Sequence, residues 1–238
     1  MPYGASHEVE IKLRVADAAA IRRRLRSLGA RPGPRLHEAN VLFDTAGQSL
    51  RGRGVLLRIR VERPARRLVK SNSRDKRIAE LDSWMFPTRA AQPGIVTFKG
   101  PPSAQALADA AAQSTAGGQQ GAYKIRREIE FGVSDACRFR ETLEALGLRP
   151  AFYYEKFRTT YRARRFRNLV ISLDESPAGI FLELEGPPAV IDRARHSLGY
   201  QPEDAILLSY GELYAAYREA SGRPMTDMLF VCGPALSS

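Results

Sequence analysis

The first predicted strand of this sequence has an ionised face and an aliphatic face. In residues 8–13 (EVEIKL), two glutamates and a lysine alternate with three aliphatic residues. Because successive side chains of a strand point to opposite faces, the three charged groups share one face. The aliphatic face can enter a hydrophobic core, whereas the charged face suits the lining of a polar cavity. The fold must therefore give this strand an apolar layer on one side and water or ions on the other.

The same alternation recurs along the chain. Arg58 and Arg60 lie opposite aliphatic residues in the predicted strand 54–62, and the predicted strand 123–133 places four charged residues on one face. Period-two patterns and turn residues predict the other strands at residues 38–44, 95–99, 152–162, 169–174 and 179–185. Helical spacing or composition predicts helices at residues 17–28, 103–112, 135–146, 190–198 and 210–220.

Both halves of the chain thus contain a strand, a helix and then a series of strands. An antiparallel sheet normally turns its polar face to water. A closed barrel can instead line a wet lumen with that face and carry helices on its outside. Two similar halves that face each other could close such a barrel. The predicted fold class is α+β, with a closed antiparallel β-barrel and helices packed outside it.

The chain is predicted to form one domain over residues 1–220, followed by a peripheral C-terminal tail at 221–238. Residues 114–121 have the composition of a flexible linker. Residues 63–94 are rich in Arg, Lys, Ser and Pro and show no sustained periodicity. A segment of this length can be a mobile loop, a lid or an elaborated hairpin, and the sequence leaves the three open.

The net charge of +11 and the isoelectric point near 10.0 indicate an anionic partner, or else a solvated basic surface. The arginines of residues 22–26 are expected on a solvated helix face. Cys137 and Cys232 lack the spacing of a zinc site or a disulfide framework. No apolar run is long enough for a membrane span or a signal peptide, so we expect a cytoplasmic protein without a membrane partner.

The polar faces of the predicted strands together form two groups of opposite charge. The acidic group contains Glu8, Glu10, Glu128, Glu130, Asp174, Glu183 and Glu185. The basic group contains Lys12, Arg58, Arg60, Lys99, Arg126, Lys156 and Arg158. Clustered carboxylates suit Mg²⁺ or Mn²⁺, and clustered Arg and Lys suit a polyphosphate chain. A lumen with both groups is typical of a site for a metal–triphosphate complex. For any single pair, a surface ion pair is the simpler explanation.

These residues, in this order, resemble the CYTH superfamily of triphosphate tunnel metalloenzymes. The resemblance rests on the N-terminal Glu-x-Glu-x-Lys and on the motifs LRIR (57–60), TFKG (97–100), RxExE (126–130), KxR (156–158) and ELE (183–185). The superfamily includes class IV adenylate cyclases, thiamine triphosphatases and inorganic triphosphatases. The resemblance implies a closed antiparallel tunnel of eight strands. The basic segment 63–94 departs from compact members of the family.

The resemblance also implies a role for each matching residue. Glu10, Lys12 and Arg126 are expected to be catalytic. Divalent ions, Mg²⁺ or Mn²⁺, are expected on Glu8, Glu10, Glu128, Glu130, Asp174, Glu183 and Glu185. The triphosphate is expected on Lys12, Arg58, Arg60, Lys99, Arg126, Lys156 and Arg158. By contrast, His37 is expected at the surface, and Tyr153, Tyr154 and Tyr161 are expected to serve in packing.

Three functions follow from this interpretation. The favoured one is a class IV adenylate cyclase, which converts ATP to cyclic AMP and pyrophosphate. The nearest alternative is a thiamine triphosphatase or an inorganic tripolyphosphatase. A third is a non-catalytic polyphosphate or RNA binder, but a pure anion binder gains nothing from carboxylates, which argues against nucleic acid as a partner. A homodimer is compatible with the sequence.

Overall fold

The computed structural model describes residues 6–65, 71, 73–102, 123–222 and 224–231. The described strands are β1 (Ser6–Arg14), β2 (Arg31–Asp44), β3 (Leu56–Pro64), β4 (Gly94–Pro102), β5 (Lys124–Val133), β6 (Arg149–Arg162), β7 (Val170–Ser176), β8 (Gly179–Glu185) and β9 (Ala205–Ile206). The described helices are α1 (Ala18–Ser27), α2 (Ser49–Gly52), α3 (Arg74–Met85), α4 (Ala136–Ala145), α5 (Pro188–Leu198) and α6 (Tyr210–Ala220), with a 3₁₀ turn at Pro202–Asp204.

Eight of these strands form a closed antiparallel barrel. They follow the order β5-β4-β3-β2-β6-β7-β8-β1, and β1 also pairs with β5, which closes the ring. The short strand β9 adds to β1 beside Lys12 and Leu13. The structure therefore confirms the α+β class and the eight-stranded barrel, and it adds β9 and the single-turn helix α2, which the sequence did not indicate.

The barrel separates the two faces of its strands as the alternation predicts. Ile11 and Leu13 of β1 point outward and join a buried cluster with Ile21 and Leu25 of α1 and Ile191 of α5. A second cluster on the opposite wall packs α3 and α4 against β2 and β3. Burial of these apolar faces on the outside leaves the charged faces on the inside, which is the reverse of an ordinary surface sheet.

Two helices begin at aspartates that the sequence places at their N-termini. The Asp17 carboxylate accepts hydrogen bonds from the backbone N–H groups of Ala19 and Ala20, and Asp135 caps α4 in the same way. Such caps satisfy donors that the first helical turn leaves without partners. The boundaries of α1 and α4 therefore agree closely with the predicted ones. None of the helices in the described ranges is long and apolar enough to cross a membrane.

Residues 63–94 contain helix α3, which the sequence did not predict because this segment has no sustained amphipathic period. Its side chains Leu81 and Met85 are buried against the barrel. The predicted helix at 103–112 and linker at 114–121 lie outside the described residues. The expectation of a peripheral tail is wrong for residues 224–231, because Met228 is fully buried and exchanges backbone hydrogen bonds with Tyr153 and Glu155.

The expectation that His37 lies at the surface is also wrong. His37 is buried on the outer side of β2, where its Nε2 lies 2.7 Å from Glu155 Oε2. Arg77 of α3 donates to both oxygens of the same carboxylate at 2.8 and 2.5 Å, and the Phe230 N–H donates to it at 2.8 Å. One buried carboxylate thus joins the barrel to α3 and to the C-terminal segment.

Candidate functional site

The barrel encloses a cavity of about 470 Å³ whose lining is mostly charged. All of the predicted site residues except Asp174 line it. The predicted residues that line the cavity are Glu8, Glu10, Lys12, Arg58, Arg60, Lys99, Arg126, Glu128, Glu130, Lys156, Arg158, Glu183 and Glu185. Lys124, Tyr154 and Tyr210 also line it, with Ser209 and Gly211 at the start of α6. The alternation of charged and apolar residues therefore identified the lumen correctly.

A network of ion pairs occupies the wall formed by β1, β8, β7 and β6. Lys12 and Glu183 lie directly opposite each other in the β1–β8 register, and Lys12 Nζ is 2.7 Å from Glu183 Oε1. Arg158 of β6 binds the other oxygen of Glu183. These cations hold the pKa of Glu183 well below its usual value despite burial. The carboxylate is therefore ionised and fixed between two cations.

Asp174 lies in β7, opposite Arg158 in the β6–β7 register, and is fully buried. Arg158 donates to both of its oxygens at 2.7 and 2.6 Å, and Lys156 donates to Oδ2 at 2.7 Å. Tyr210 adds its hydroxyl proton at 2.7 Å. With its oxygens already engaged by four donor contacts, Asp174 is placed to orient Lys156 and Arg158 rather than to bind a metal ion, and we assign it that positioning role as a proposal.

Glu38 supports the same two cations and was missed by the sequence analysis. It is buried in β2, with carboxylate oxygens 3.5 Å from Lys156 Nζ and 3.6 Å from Arg158 Nε. Burial opposes its ionisation, but the surrounding Lys156 and Arg158 charges lower its pKa to about 2. The period of β2 places Glu38 on the lumen face with Asn40 and Leu42, so a strict reading of that period would have included it.

A second group of ionic contacts lies on β3, β4 and β5. Arg58 donates to the Tyr154 hydroxyl at 2.9 Å and to Thr97 Oγ1 at 2.8 Å. Both Arg58 and Arg60 reach Glu130, at 3.5 and 3.4 Å. Tyr154 therefore does more than pack, because its hydroxyl fixes one guanidinium that the sequence assigned to the triphosphate.

Arg126 faces the lumen, but its guanidinium donates hydrogen bonds mainly to backbone carbonyls. Its Nε donates to the Gly100 carbonyl at 2.6 Å, and its Nη2 donates to the Gly54 carbonyl and, at 3.4 Å, to the Lys99 carbonyl. Burial lowers the pKa of this guanidinium from its ordinary value. In this arrangement Arg126 holds the ends of β3 and β4 together, and a phosphate contact would have to use its remaining donors.

Carboxylates are concentrated at one end of the lumen. Lys99 forms ion pairs with Glu8 and, at 3.4 Å, with Glu128. Glu10 and Glu185 lie directly opposite each other in the β1–β8 register, and neither forms a salt bridge with another described residue. Like charges in directly opposed positions repel and destabilise a strand pair. An additional cation would relieve this repulsion.

Burial and neighbouring carboxylates both raise pKa values at this end of the lumen. Burial, with Glu10 and Glu128 nearby, raises the pKa of Glu8 to about 8 against the opposing effect of Lys99. Burial and the same two neighbours raise the pKa of Glu185. The donor set, four carboxylates, suits a hard divalent cation. Within the described ranges, however, no three acidic, His or Cys side chains already stand close enough together to hold a metal ion. Binding would therefore draw these carboxylates towards the metal.

Tyr210 forms part of the lumen wall from outside the barrel strands. It is the first residue of α6, and the ammonium groups of Lys12 and Lys156 lie 4.6 and 4.7 Å from its ring centroid. Its hydroxyl donates to Asp174. No pattern in the sequence could reveal this role, because a tyrosine at a helix start does not indicate which groups its ring and hydroxyl contact.

Removal of the Tyr210 hydroxyl should cost stability. We expect Tyr210→Phe to lower the free energy of unfolding by about 1.5–3 kcal/mol, because a buried carboxylate loses a hydrogen bond. Tyr217→Phe on the same helix is the matched control, and it should change stability by less than about 0.5 kcal/mol. Urea unfolding of both variants measures the difference. Equal effects from the two substitutions would contradict the importance of the Tyr210–Asp174 bond.

Comparison with known proteins agrees with this architecture. The sequence matches the CYTH domain family over residues 6–194. Among curated proteins, none matches the chain significantly. A solved structure from Vibrio parahaemolyticus, proposed to be an adenylate cyclase, is 16% identical with a TM-score of 0.61, over 89% of this chain and 99% of that one. The PH1819 protein of Pyrococcus horikoshii is 21% identical with a TM-score of 0.59, again over 89% and 99% of the two chains.

A further protein from Pyrococcus horikoshii, PH1012, is 20% identical over 85% of this chain and 96% of that one, with a TM-score of 0.56. At these identities the structural likeness supports the fold alone. The match to the family covers most of the chain, including every predicted site residue. The chain therefore belongs to the CYTH domain family, in which adenylate cyclases and triphosphatases occur.

Proposed function

We propose that this protein is a divalent-metal-dependent enzyme that acts on a triphosphate bound in the lumen. The observation that carries the proposal is the opposed pair Glu10 and Glu185, two lumen carboxylates without a salt bridge to any other described residue. A protein that only bound anions would gain nothing from such a pair. A cation shared between these carboxylates and a phosphate would satisfy both.

The charge of the lining supports a metal–triphosphate complex over either part alone. Among the described lining residues, eight are Lys or Arg and six are Glu. A bare triphosphate would be attracted by the Lys and Arg side chains but repelled by the glutamates. A bare metal ion would be attracted by the glutamates but repelled by the Lys and Arg side chains. A divalent cation bound to the triphosphate places charge of the appropriate sign against each group.

Within this proposal the basic side chains bind and orient the phosphates. Lys12, Lys156 and Arg158 are already fixed by carboxylates behind or beside them, so they would lose little side-chain freedom when a phosphate arrives. The negative charge that develops in phosphoryl transfer would find these cations in place. The metal, Mg²⁺ or Mn²⁺ when bound, would polarise a phosphate oxygen and activate an attacking hydroxyl.

Cyclisation of ATP to cyclic AMP and pyrophosphate is the first reaction that we propose. The resemblance of residues 154–162 and 174–185 to class IV adenylate cyclases supports it. Leu42 and Leu56 line the lumen with Tyr154, which offers a small apolar surface to a nucleobase. The alternative is hydrolysis of thiamine triphosphate or tripolyphosphate, which is favoured by the scarcity of apolar groups elsewhere in the described lining.

Product analysis tests the proposal. The protein is incubated with ATP, thiamine triphosphate or tripolyphosphate in Mg²⁺ or Mn²⁺, and the products are separated by chromatography. We expect turnover with metal, and a loss of at least about 100-fold when EDTA removes it. Cyclic AMP with pyrophosphate supports the cyclase, and orthophosphate supports the hydrolase. Absence of turnover with all three substrates and both metals would overturn the proposal.

A further inference from the structure

An exposed turn outside the lumen is unusually rich in arginine. Residues 162–167 (RARRFR) connect β6 to β7, and Ala163 and Phe166 are buried while the four arginines are exposed. Backbone hydrogen bonds from the Phe166 N–H to Ala163 and from the Leu169 N–H to Phe166 fix the turn. The buried residues therefore hold the arginines outward in a defined arrangement.

Two other segments bring arginines to the same face. Arg31 lies directly opposite Arg162 in the β2–β6 register. Arg26 lies in the last turn of α1, where the Leu25 carbonyl accepts a hydrogen bond from the N–H of Ala30, the residue before Arg31. We call the resulting set the arginine surface; its members are Arg26, Arg31, Arg162, Arg164, Arg165 and Arg167.

In the part of the chain that the structure describes, the arginine surface forms no ion pair with a carboxylate. Glu175, at the end of β7, is already bound by Arg22 and Arg35. Among the described residues, no member of the arginine surface forms a salt bridge. Arg162 donates to the Leu169 carbonyl, and Arg165 lies over the Phe166 ring, 5.0 Å from its centroid. Like charges gathered without counter-charges repel each other, and an anion bound at this surface would reduce that repulsion.

We propose that the arginine surface binds the phosphate backbone of a nucleic-acid duplex. Arginine presents a planar fork of donors that matches phosphate oxygens, so a surface with six arginines suits such contacts. The large hydrophobic side chains exposed elsewhere in the described chain, such as Phe131 and Leu146, are not on these elements. The surface thus lacks the apolar anchor that a membrane-binding face uses and the exposed rings that stack on unpaired bases.

This binding is independent of the lumen and of the function proposed for it. It should show no sequence preference, because phosphate contacts position a duplex without reading its bases. It should also weaken steeply with salt, because each neutralised phosphate releases counterions. The carboxylates that would repel nucleic acid line the lumen, whereas no arginine of this surface forms a salt bridge with a carboxylate in the described ranges.

Fluorescence anisotropy with a short labelled RNA or DNA duplex tests the proposal. The variant Arg164→Gln/Arg165→Gln/Arg167→Gln should bind at least about 10-fold more weakly, and the slope of log affinity against log salt should decrease by about 2 to 3. The matched control is Arg51→Gln/Arg127→Gln/Arg138→Gln, which removes the same charge from exposed positions elsewhere. It should bind the duplex within about 2-fold of the parent protein.

Further arms of the experiment distinguish other anions. Inorganic polyphosphate and vesicles of anionic phospholipid are tested with the same three proteins, and circular dichroism verifies that each is folded. Stronger loss of duplex binding in the arginine-surface variant than in the control supports the proposal. Equal weakening in both variants, absence of duplex binding by the parent, or a preference for vesicles over duplex would overturn it.

Discussion

Replacement of Glu10 by Gln should reduce metal-dependent triphosphate turnover by at least about 100-fold. The amide keeps the size of the side chain but removes the charge that Glu10 contributes opposite Glu185. A divalent cation would then lose one of the two lumen carboxylates that form no salt bridge with another described residue. Turnover of the responsive triphosphate and Mn²⁺ binding, followed by electron paramagnetic resonance, should fall together.

Glu185→Gln should behave in the same way, because the two glutamates act as a pair. Without metal it should unfold at the same or higher urea concentration than the parent, since it removes one of two opposed like charges. Glu175→Gln is the control, a strand carboxylate paired with Arg22 and Arg35 outside the lumen, and it should keep full turnover. Turnover within about 3-fold of the parent in both lumen variants would exclude these glutamates as metal ligands.

The barrel could be predicted because the strand periodicity is unambiguous. In β1, every second residue is charged, so the assignment of faces requires no knowledge of the partner strands. Closure of the ring could be suspected from the two similar halves, but the pairing of β1 with β5 is a long-range contact that local patterns do not encode. The count of eight strands therefore came from the resemblance to a family.

The residues that face the lumen could be predicted individually, but the contacts that each of their side chains makes could not. Asp174 and Glu183 look alike in sequence, yet Asp174 is fully buried among its donors whereas Glu183 lines the cavity. Arg126 shares its alternating pattern with Glu128, although its guanidinium is largely occupied by backbone carbonyls. These differences depend on side-chain partners from other strands, which a single-strand pattern does not contain.

The buried ionic cluster outside the barrel could not be predicted at all. Glu155, Arg77 and His37 lie on separate elements that are distant in sequence. Glu, Arg and His side chains are usually found at the surface. The sequence of α3 has no strong amphipathic pattern from which its packing against the barrel could be predicted. The C-terminal segment is short and irregular, so its burial follows from backbone hydrogen bonds to β6 rather than from its own periodicity.

Replacement of Arg77 by Met should lower the free energy of unfolding by about 3–5 kcal/mol. Arg77 and Glu155 are 5% and 0% exposed, so the substitution would leave a carboxylate inside the protein with His37 and one backbone N–H as its remaining partners. Burial opposes the ionisation of Glu155, and hydrogen bonds from Arg77 and His37 lower its pKa against this effect. Urea unfolding monitored by circular dichroism measures the loss.

The exposed pair Arg23–Asp17 provides the control for this prediction. Its side chains are 64% and 59% exposed and 4.0 Å apart, so Arg23→Met should cost less than about 1 kcal/mol. In the double variant Arg77→Met/Glu155→Gln, the amide carries no charge, so part of the lost stability should return. A loss below about 1 kcal/mol for Arg77→Met, or no recovery in the double variant, would show that the carboxylate is not held by this ion pair. Because the same carboxylate binds α3 and the Phe230 N–H, its destabilisation should detach α3 and the C-terminal segment before the barrel itself opens.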